Sequence, residues 1–224
     1  MLASRPAVSH AKQVFFGRES KSSTDAPDPP PGWRTIAGMS RVPFPLPTLE
    51  SPRARLRPLG PSDVPALFAI FSDPETMRYW SSPAMLDPTE AEALLRDIQA
   101  QGETGTLFQW GIARREDDLV IGTCTLHRID RTHRRAELGY ALRRDQWGRG
   151  LAHEVLIALL DHAFDTLNLH RLEADIDPRN AASIRSVERL GFRLEGHLRE
   201  RYRVNGEIQD ALIYGLLAPE RKGR

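Results

Sequence analysis

The feature that most constrains the fold is a strand that leads through a two-glycine turn into a long amphipathic helix. The strand is predicted over residues 134–143 and the helix over 148–166, where the apolar side chains fall on one broad face. Residues 171–176 have the pattern of a further strand. A strand, a helix and another strand in this order form a crossover between two parallel strands. The pattern therefore predicts an α/β protein.

The segments around this crossover predict a mostly antiparallel mixed sheet with helices on both faces. Polar turns join the three strand candidates between residues 107 and 143, as in an antiparallel meander. Asn205-Gly206 fits the tight turn of a terminal hairpin. The predicted strands lie at 53–59, 107–114, 119–129, 134–143, 171–176, 193–204 and 207–217, and the predicted helices begin near residues 61, 88, 148 and 180.

The composition changes along the chain and predicts three regions. Residues 1–52 form the first, and their second half is crowded with Pro, Ser, Gly and Asp, which cannot sustain a helix or a central strand. We expect a disordered extension there, and Met39 is an alternative start of the natural chain. The folded domain is expected over residues 53–218, and a short basic tail over 219–224.

The charge and hydropathy of the chain argue against two kinds of partner. Lys and Arg number 31 against 30 for Asp and Glu, so direct binding of nucleic acid is not expected. The basic run at 127–135 is interpreted as a solvated hairpin, with a surface for RNA or an acidic acceptor as the alternative. No stretch reaches the roughly 18 to 20 apolar residues of a membrane helix. A cytoplasmic protein that does not bind membranes is expected.

Metal and disulfide chemistry is also not expected. Cys124 is the only cysteine, which excludes an internal disulfide and a zinc site built from several cysteines. It falls in a predicted strand, where a buried and unreactive thiol is the simplest interpretation. His153 and His162 are nine residues apart on the predicted helix, so they do not share one face at coordinating range.

The two-glycine turn predicts a binding site for phosphate. The first turn of a helix directs unpaired N–H groups and the positive end of its dipole at whatever precedes it. Glycine lets a ligand approach the backbone closely, and Arg143, Arg144 and Arg149 add positive charge. The turn lacks the Lys of a phosphate-binding P-loop and the third glycine of a dinucleotide fingerprint. A plain tight connection with solvated arginines is the alternative.

Three motifs then resemble one family. Trp147-Gly148-Arg149-Gly150-Leu151-Ala152 is similar to the pyrophosphate motif of GNAT N-acetyltransferases, with Trp147 in the place of the usual Gln or Arg. That departure is typical of the branch of RimJ/RimL ribosomal-protein N-terminal acetyltransferases, and Gln146 is a candidate for the missing polar role. The segment 180–192 resembles the second GNAT signature, and 196–210 the third. The sequence is identified as a member of the GNAT superfamily, similar to its RimJ/RimL-like branch.

The resemblance implies a GNAT fold that uses acetyl-CoA as the acetyl donor and no metal. The fourth and fifth predicted strands, 134–143 and 171–176, would splay apart around the pantetheine arm, which frees backbone groups that pairing would consume. An N–H near Leu142 would then stabilise negative charge on the reacting carbonyl oxygen. By resemblance, the residues that bind the cofactor are Tyr140, Ala141, Leu142, Trp147, Gly148, Arg149, Gly150, Leu151, Ala152, Asn180 and Ser183.

The resemblance also implies direct transfer of the acetyl group to a primary amine, on a protein N-terminus or on a small molecule. An α-amino group is about 10% neutral at pH 7, whereas a lysine amine is neutral at under about 0.1%, so a base matters most for lysine-like acceptors. Glu137 is the predicted base, acting directly or through water. An ion pair between Glu137 and Arg134 or Arg135 is the alternative.

Four more residues have two possible roles each. Ser183 is the predicted acid for the departing thiolate, because the family motif places a serine there, but it also suits the first turn of a helix. Asn180 is predicted to contact the cofactor and equally suits the N-cap position. Tyr79 and Tyr202 are candidates for acids or for walls of the acceptor site.

Two functions of other kinds remain open on the sequence. One is a non-catalytic acyl-CoA-binding sensor, and the other is an RNA- or ribosome-associated protein that uses the basic hairpin. The partner expected for the enzyme is an amine acceptor, and the chain is expected to be a monomer or a homodimer.

Overall fold

The computed structural model describes residues 46–221 of the chain. The predicted basic tail therefore lies partly outside the described residues, as does most of the predicted extension. The described part is built on one sheet with the strand order β1-β2-β3-β4-β5-β6-β8-β7. Its strands are β1 (Leu49–Glu50), β2 (Ala54–Pro58), β3 (Leu107–Arg114), β4 (Val120–Asp130), β5 (Arg135–Leu142), β6 (Arg171–Ile176), β7 (Arg193–Val204) and β8 (Glu207–Leu217).

The helices begin where the sequence supplies capping residues. Asp73, Asp87 and Asn180 each accept hydrogen bonds from backbone N–H groups of the turn that follows. The helix predicted over 148–166 begins at residue 151 and ends in a π-helical turn, His162–Thr166. No helix within residues 46–221 is long and apolar enough to cross a membrane. The helices are α1 (Val64–Phe71), α2 (Pro74–Met77), α3 (Pro88–Thr104), α4 (Leu151–Asp161) and α5 (Ala181–Arg189).

The sheet confirms the predicted parallel crossover and its separation. Strands β5 and β6 are parallel, and every other pair of neighbours in the sheet is antiparallel. The parallel pairing joins only residues 135–137 to 171–173. Beyond Glu137 the two strands diverge, while β5 stays paired with β4 as far as Leu142. These are the fourth and fifth predicted strands, since the short β1 precedes them.

Both faces of the central sheet are covered. In β3, residues 107–113 are all buried, which requires helices on both sides of the strand. Phe108, Trp110 and Ile112 pack with apolar residues of α4 in one cluster. On the other face, α1 contacts β4 and α3 contacts β3. Burial of each large apolar side chain stabilises the fold by about 1.5–3 kcal/mol.

The residues before β2 pack on this core. Leu46 is 7% exposed and belongs to the cluster with α4, and the indole Nε1 of Trp110 donates to the Pro47 carbonyl at 2.9 Å. Strand β1 pairs with β2. The sequence places residues 46–52 in the extension, because their prolines disfavour regular structure. In the structure they are held by burial of Leu46 and by long-range hydrogen bonds.

Glu154 on α4 anchors this N-terminal segment. Its Oε1 accepts from the Arg53 N–H at 2.6 Å and from Ser51 Oγ at 3.0 Å, and its Oε2 accepts from Arg53 Nε at 2.8 Å. The Glu154 side chain is only 14% exposed. One carboxylate therefore joins α4 to the segment before β2.

Glu154→Ala is expected to lower the free energy of unfolding by about 2–3 kcal/mol, because three hydrogen bonds to a carboxylate are lost. Urea denaturation followed by circular dichroism measures this. The matched control is Glu92→Ala on α3, whose exposed pair with Arg96 spans 3.9 Å; it is expected to change stability by less than about 0.5 kcal/mol. Equal losses in the two variants would contradict the anchoring role.

Candidate functional site

A cleft of about 520 Å³ opens at the wide end of the gap between β5 and β6. Its walls are the end of β5, the two-glycine turn, the first residues of α4 and α5, and the segment from α2 to Trp80. Of the residues predicted to bind a cofactor, all but Arg149 line it. They are Tyr140, Ala141, Leu142, Trp147, Gly148, Gly150, Leu151, Ala152, Asn180 and Ser183.

One edge of β5 is available to a ligand in this cleft. The β4 side of β5 is paired along its length, but within residues 46–221 no strand pairs with the other edge beyond Glu137. Backbone N–H and C=O groups there require hydrogen-bond partners when they are covered. The edge is thus suited to an extended ligand that carries amide groups.

The turn before α4 is shaped by two glycines. Gly148 and Gly150 have φ angles of 72° and 76°, a region that side chains disfavour. Gly150 is the N-cap residue of α4 and has no side chain to cap the first-turn N–H groups. A Cβ at Gly148 would meet nothing within 4 Å, so there is open space beside the backbone. The turn therefore offers N–H donors and a positive dipole end to an anion.

Trp147 fastens the turn to β5. Its indole Nε1 donates to the Leu142 carbonyl at 2.7 Å. The side chain is still 47% exposed and lines the cleft. Gln146, the candidate for the missing polar role, is buried and donates through Nε2 to Asp145 at 2.9 Å. Trp147 thus has a structural contact that the sequence did not indicate.

The opposite wall of the cleft carries cations that the motifs did not identify. Arg179, Arg185 and Arg189 line it from α5 and the loop before it. The Arg179 guanidinium also lies 5.8 Å from the ring centroid of Tyr79, which stands on the α2 side. Arg185 and Arg189 are four residues apart and so share one helix face, a spacing visible in the sequence.

Tyr140 and Ser183 meet inside the cleft. The Tyr140 hydroxyl donates to Ser183 Oγ at 3.3 Å, although 43 residues separate them. Asn180 caps α5, because its side-chain oxygen accepts from the Ser183 N–H at 3.1 Å. Burial raises the pKa of Tyr140, which keeps its hydroxyl protonated. Two connected hydroxyl groups therefore join β5 to α5.

Glu137 lies apart from the cleft lining, at the closed end of the gap. Its Oε2 accepts from Arg128 Nη1 at 2.7 Å, and its Oε1 is 3.3 Å from His127 Nε2. The suggested partners are engaged elsewhere: Arg134 donates to Asn168, and Arg135 is nearest to Asp130. Burial acts to raise the pKa of Glu137, but the hydrogen bond with His127 and the charge of Arg128 outweigh it and lower that pKa.

The described residues hold no group of three or more His, Cys, Asp and Glu side chains with the arrangement of a metal site. Cys124 is fully buried, as predicted, and burial raises the pKa of its thiol. A thiol in that state is a poor nucleophile.

Comparisons with known proteins identify the family of this chain. The family model described as an acetyltransferase (GNAT) domain matches residues 53–193. The uncharacterized N-acetyltransferase p20 of Bacillus licheniformis is 36% identical over 176 residues, which cover 79% of this chain and 99% of that protein.

Two solved structures show the same architecture with the coenzyme bound. RimJ of Mycobacterium smegmatis, in complex with CoA-disulfide, superposes with a TM-score of 0.72 at 26% identity and covers 79% of this chain and 90% of its own. Spermidine N-acetyltransferase of Vibrio cholerae, in complex with CoA and spermine, gives 0.68 at 25% identity and covers 75% and 97%.

The divergent parallel strands and the glycine turn thus belong to an acetyl-CoA-dependent N-acetyltransferase. The chain belongs to the GNAT acetyltransferase family, and within that family it is similar to the RimJ/RimL-like branch.

Glu137→Gln is expected to lower the free energy of unfolding by about 1–3 kcal/mol at pH 7, because Arg128 and His127 lose a charged acceptor. A carboxyl whose pKa is lower in the folded than in the unfolded chain stabilises the fold. For Glu137 this stabilisation is complete at pH values above 4.5, its pKa in the unfolded chain, and it disappears as the pH falls through the folded pKa. The difference between variant and parent should therefore vanish in acid.

Thermal unfolding between pH 3 and pH 8 tests this, with Glu116→Gln as the control. The Glu116 side chain is 73% exposed, and its replacement should change little at any pH. A deficit of Glu137→Gln that persists unchanged to pH 3 would contradict the assigned ion pairs.

Proposed function

We propose that this protein transfers the acetyl group of acetyl-CoA directly to a primary amine, on a protein N-terminus or on a small molecule. The observation that carries the proposal is the edge of β5 that is unpaired within residues 46–221, a path that runs from the cleft to the closed end of the gap. It begins at the glycine turn, follows the edge of β5 past Leu142 and Tyr140, and reaches the closed end of the gap at Glu137. A donor bound along this path presents its thioester between Ser183 and the acceptor.

The residues at the wide end fit a pyrophosphate. The N–H groups of Gly148, Gly150, Leu151 and Ala152 surround the start of α4, where its dipole favours negative charge. Arg149 does not line the cleft, so its proposed contribution is positive charge beside the turn rather than direct contact. Asn180 and the α5 arginines close the opposite side.

The residues along the gap fit the pantetheine arm and the thioester. The backbone of Tyr140, Ala141 and Leu142 can pair with the amide groups of the arm, in place of a neighbouring strand. Ser183 is proposed as the acid for the departing thiolate, because Tyr140 donates to Ser183 Oγ and leaves the serine proton available to the sulphur. Glu137, which the sequence predicts as the base, is proposed as a fixed negative charge on the acceptor side, held by Arg128 and His127.

Two observations support an amine as the acceptor. The Glu137 carboxylate would attract an ammonium ion, and the relatives are N-acetyltransferases. One solved relative is a spermidine N-acetyltransferase in complex with CoA and spermine, and another is a RimJ. The alternative of a non-catalytic acyl-CoA sensor gains no support from these comparisons.

The direct test of the proposal is transfer by the purified chain. We expect free thiol and an acetylated product, identified by mass spectrometry, when acetyl-CoA is incubated with a panel of polyamines and N-terminal peptides. Tight binding of CoA without acetylated product from any amine would instead support a sensor.

Gly150→Ala is expected to weaken binding of coenzyme A about tenfold, measured by isothermal titration calorimetry. A side chain at a φ of 76° costs about 1–2 kcal/mol and moves the N–H groups that hold the pyrophosphate. Gly60→Ala is the matched control, because Gly60 has a φ of −126° with open space beside it. An unchanged dissociation constant for Gly150→Ala would argue against the pyrophosphate position.

Ser183→Ala is expected to lower kcat about 100-fold and to weaken binding of coenzyme A by a much smaller factor, since the thiolate loses its acid. Ser183→Thr, which keeps a hydroxyl at this position, should retain more activity. Steady-state thiol release and calorimetry together separate the two effects. Full activity of Ser183→Ala would remove Ser183 from the mechanism.

A further inference from the structure

A second carboxylate, Asp175, stands at the closed end of the gap. It lies on β6 two residues beyond Glu173, the last residue of that strand that pairs with β5. Its side chain is 9% exposed. The sequence did not single it out, because it forms part of an ordinary strand pattern.

The strand register places Asp175 and Glu137 on the same face of the sheet. Glu137 is directly opposite Glu173 in the parallel pair, so their side chains point to the same side. Side chains alternate along a strand, and Asp175 therefore shares the face of Glu173. Glu137 and Asp175 thus flank the point at which β5 and β6 separate.

The two carboxylates have different partners. Glu137 is bound by Arg128 and paired with His127, as described above. Asp175 accepts a hydrogen bond from the Tyr202 hydroxyl at 2.6 Å, and Arg201 Nε is 3.8 Å from its Oδ2. The groups that interact with Asp175 are Arg128 on β4, Glu137 on β5, and Arg201 and Tyr202 on β7, while His127 on β4 contacts Glu137 and Glu173 lies two residues earlier on β6.

These environments shift the pKa values of the two acids in opposite directions. Burial, together with the negative charge of Glu137, raises the pKa of Asp175, while that of Glu137 is lowered. Burial and the neighbouring carboxylates raise the pKa of Tyr202 to about 12, so its hydroxyl remains a donor to Asp175. Two acids whose pKa values differ in this way can divide the roles of proton acceptor and fixed charge.

We propose that Asp175 accepts the proton that the acceptor amine must lose, directly or through one water, and that Tyr202 is a positioning residue for its carboxylate. This inference rests on the proposed function. Glu137, fixed by Arg128 and His127, then supplies the standing negative charge that attracts the ammonium ion.

The proton balance of the transfer is complete with these groups. An ammonium ion gives one proton to Asp175, and the neutral nitrogen forms a bond to the acetyl carbon. The carbon–sulphur bond breaks, the thiolate takes a proton from Ser183, and the second proton of the nitrogen returns to that serine. Asp175 afterwards releases its proton to solvent, so one amide, one thiol and one proton are formed.

The test compares Asp175→Asn, Tyr202→Phe, Glu137→Gln and the parent as full chains, with the best acceptor from the amine panel. We expect Asp175→Asn to lower kcat/KM about 100-fold at pH 7. In the parent, log kcat/KM should rise with pH through an ionisation whose pKa lies above the usual range of aspartate. In Asp175→Asn that ionisation should disappear, and the rate should follow the ionisation of the amine alone. Tyr202→Phe should shift the midpoint of the profile.

The stability of Asp175→Asn separates a catalytic role from a structural one. A carboxyl whose pKa is raised in the folded state loses stabilising effect as the pH rises through that pKa. The ionised Asp175 therefore costs stability at pH 7, and its neutral amide replacement should leave Tm unchanged or higher. Asp165→Asn, at a side chain that is 69% exposed, is the control for both activity and Tm.

Three results would overturn the inference. The first is an Asp175→Asn variant that keeps the rate and the pH profile of the parent. The contradiction would be strongest if Glu137→Gln lost the rate and changed the profile, because Glu137 would then be the base. The second is loss of activity with a lowered Tm and an unchanged profile, which marks a structural role. The third is a parent chain that acetylates no amine, and this result alone also removes the proposed function.

Discussion

The site depends on a parallel contact of only three residue pairs between β5 and β6. Each strand is paired on its outer edge, β5 with β4 and β6 with β8. The inner edges can therefore separate without unfolding either strand. Backbone groups that remain on the inner edges need partners when they are covered, and this requirement suits the edge of β5 to an amide-bearing arm.

Backbone dipoles make the electrostatic potential positive at the wide end of the gap. The first residues of α4 and of α5 line the same cleft, so two helix dipoles point their positive ends toward one place. Trp147 ties the turn before α4 to the last carbonyl of β5, and Asn180 caps α5 on the opposite side. A cofactor with a pyrophosphate and a long amide arm matches this arrangement of charge and hydrogen-bond donors.

At the closed end of the gap, the electrostatic environment is set by charged side chains instead of the backbone. Glu137 is bound by two groups of β4, whereas Asp175 is bound by the Tyr202 phenol from β7. Burial acts on both acids, and the neighbours decide the sign of each pKa shift. In the proposed reaction, the donor would thus bind at the wide end of the gap and the acceptor at its closed end.

The fold class and the glycine turn were readable from local signals. Apolar spacing predicted the strands and the long helix, and the resemblance to the GNAT motifs predicted the family, the divergent strands and ten residues of the cleft. Each of these signals lies within a short stretch of chain. Asn180 likewise caps the helix that follows it.

Contacts between distant parts of the chain were decided only by the tertiary structure. Glu154 with residues 51 and 53, Tyr140 with Ser183, and Asp175 with Tyr202 are separated by 27 to 103 positions. The sequence offered Arg134 and Arg135 as partners of Glu137, because they are close along the chain. The sheet register instead brought His127 and Arg128 to it. A local pattern specifies which element a residue joins, but only the packing of elements determines which charges meet.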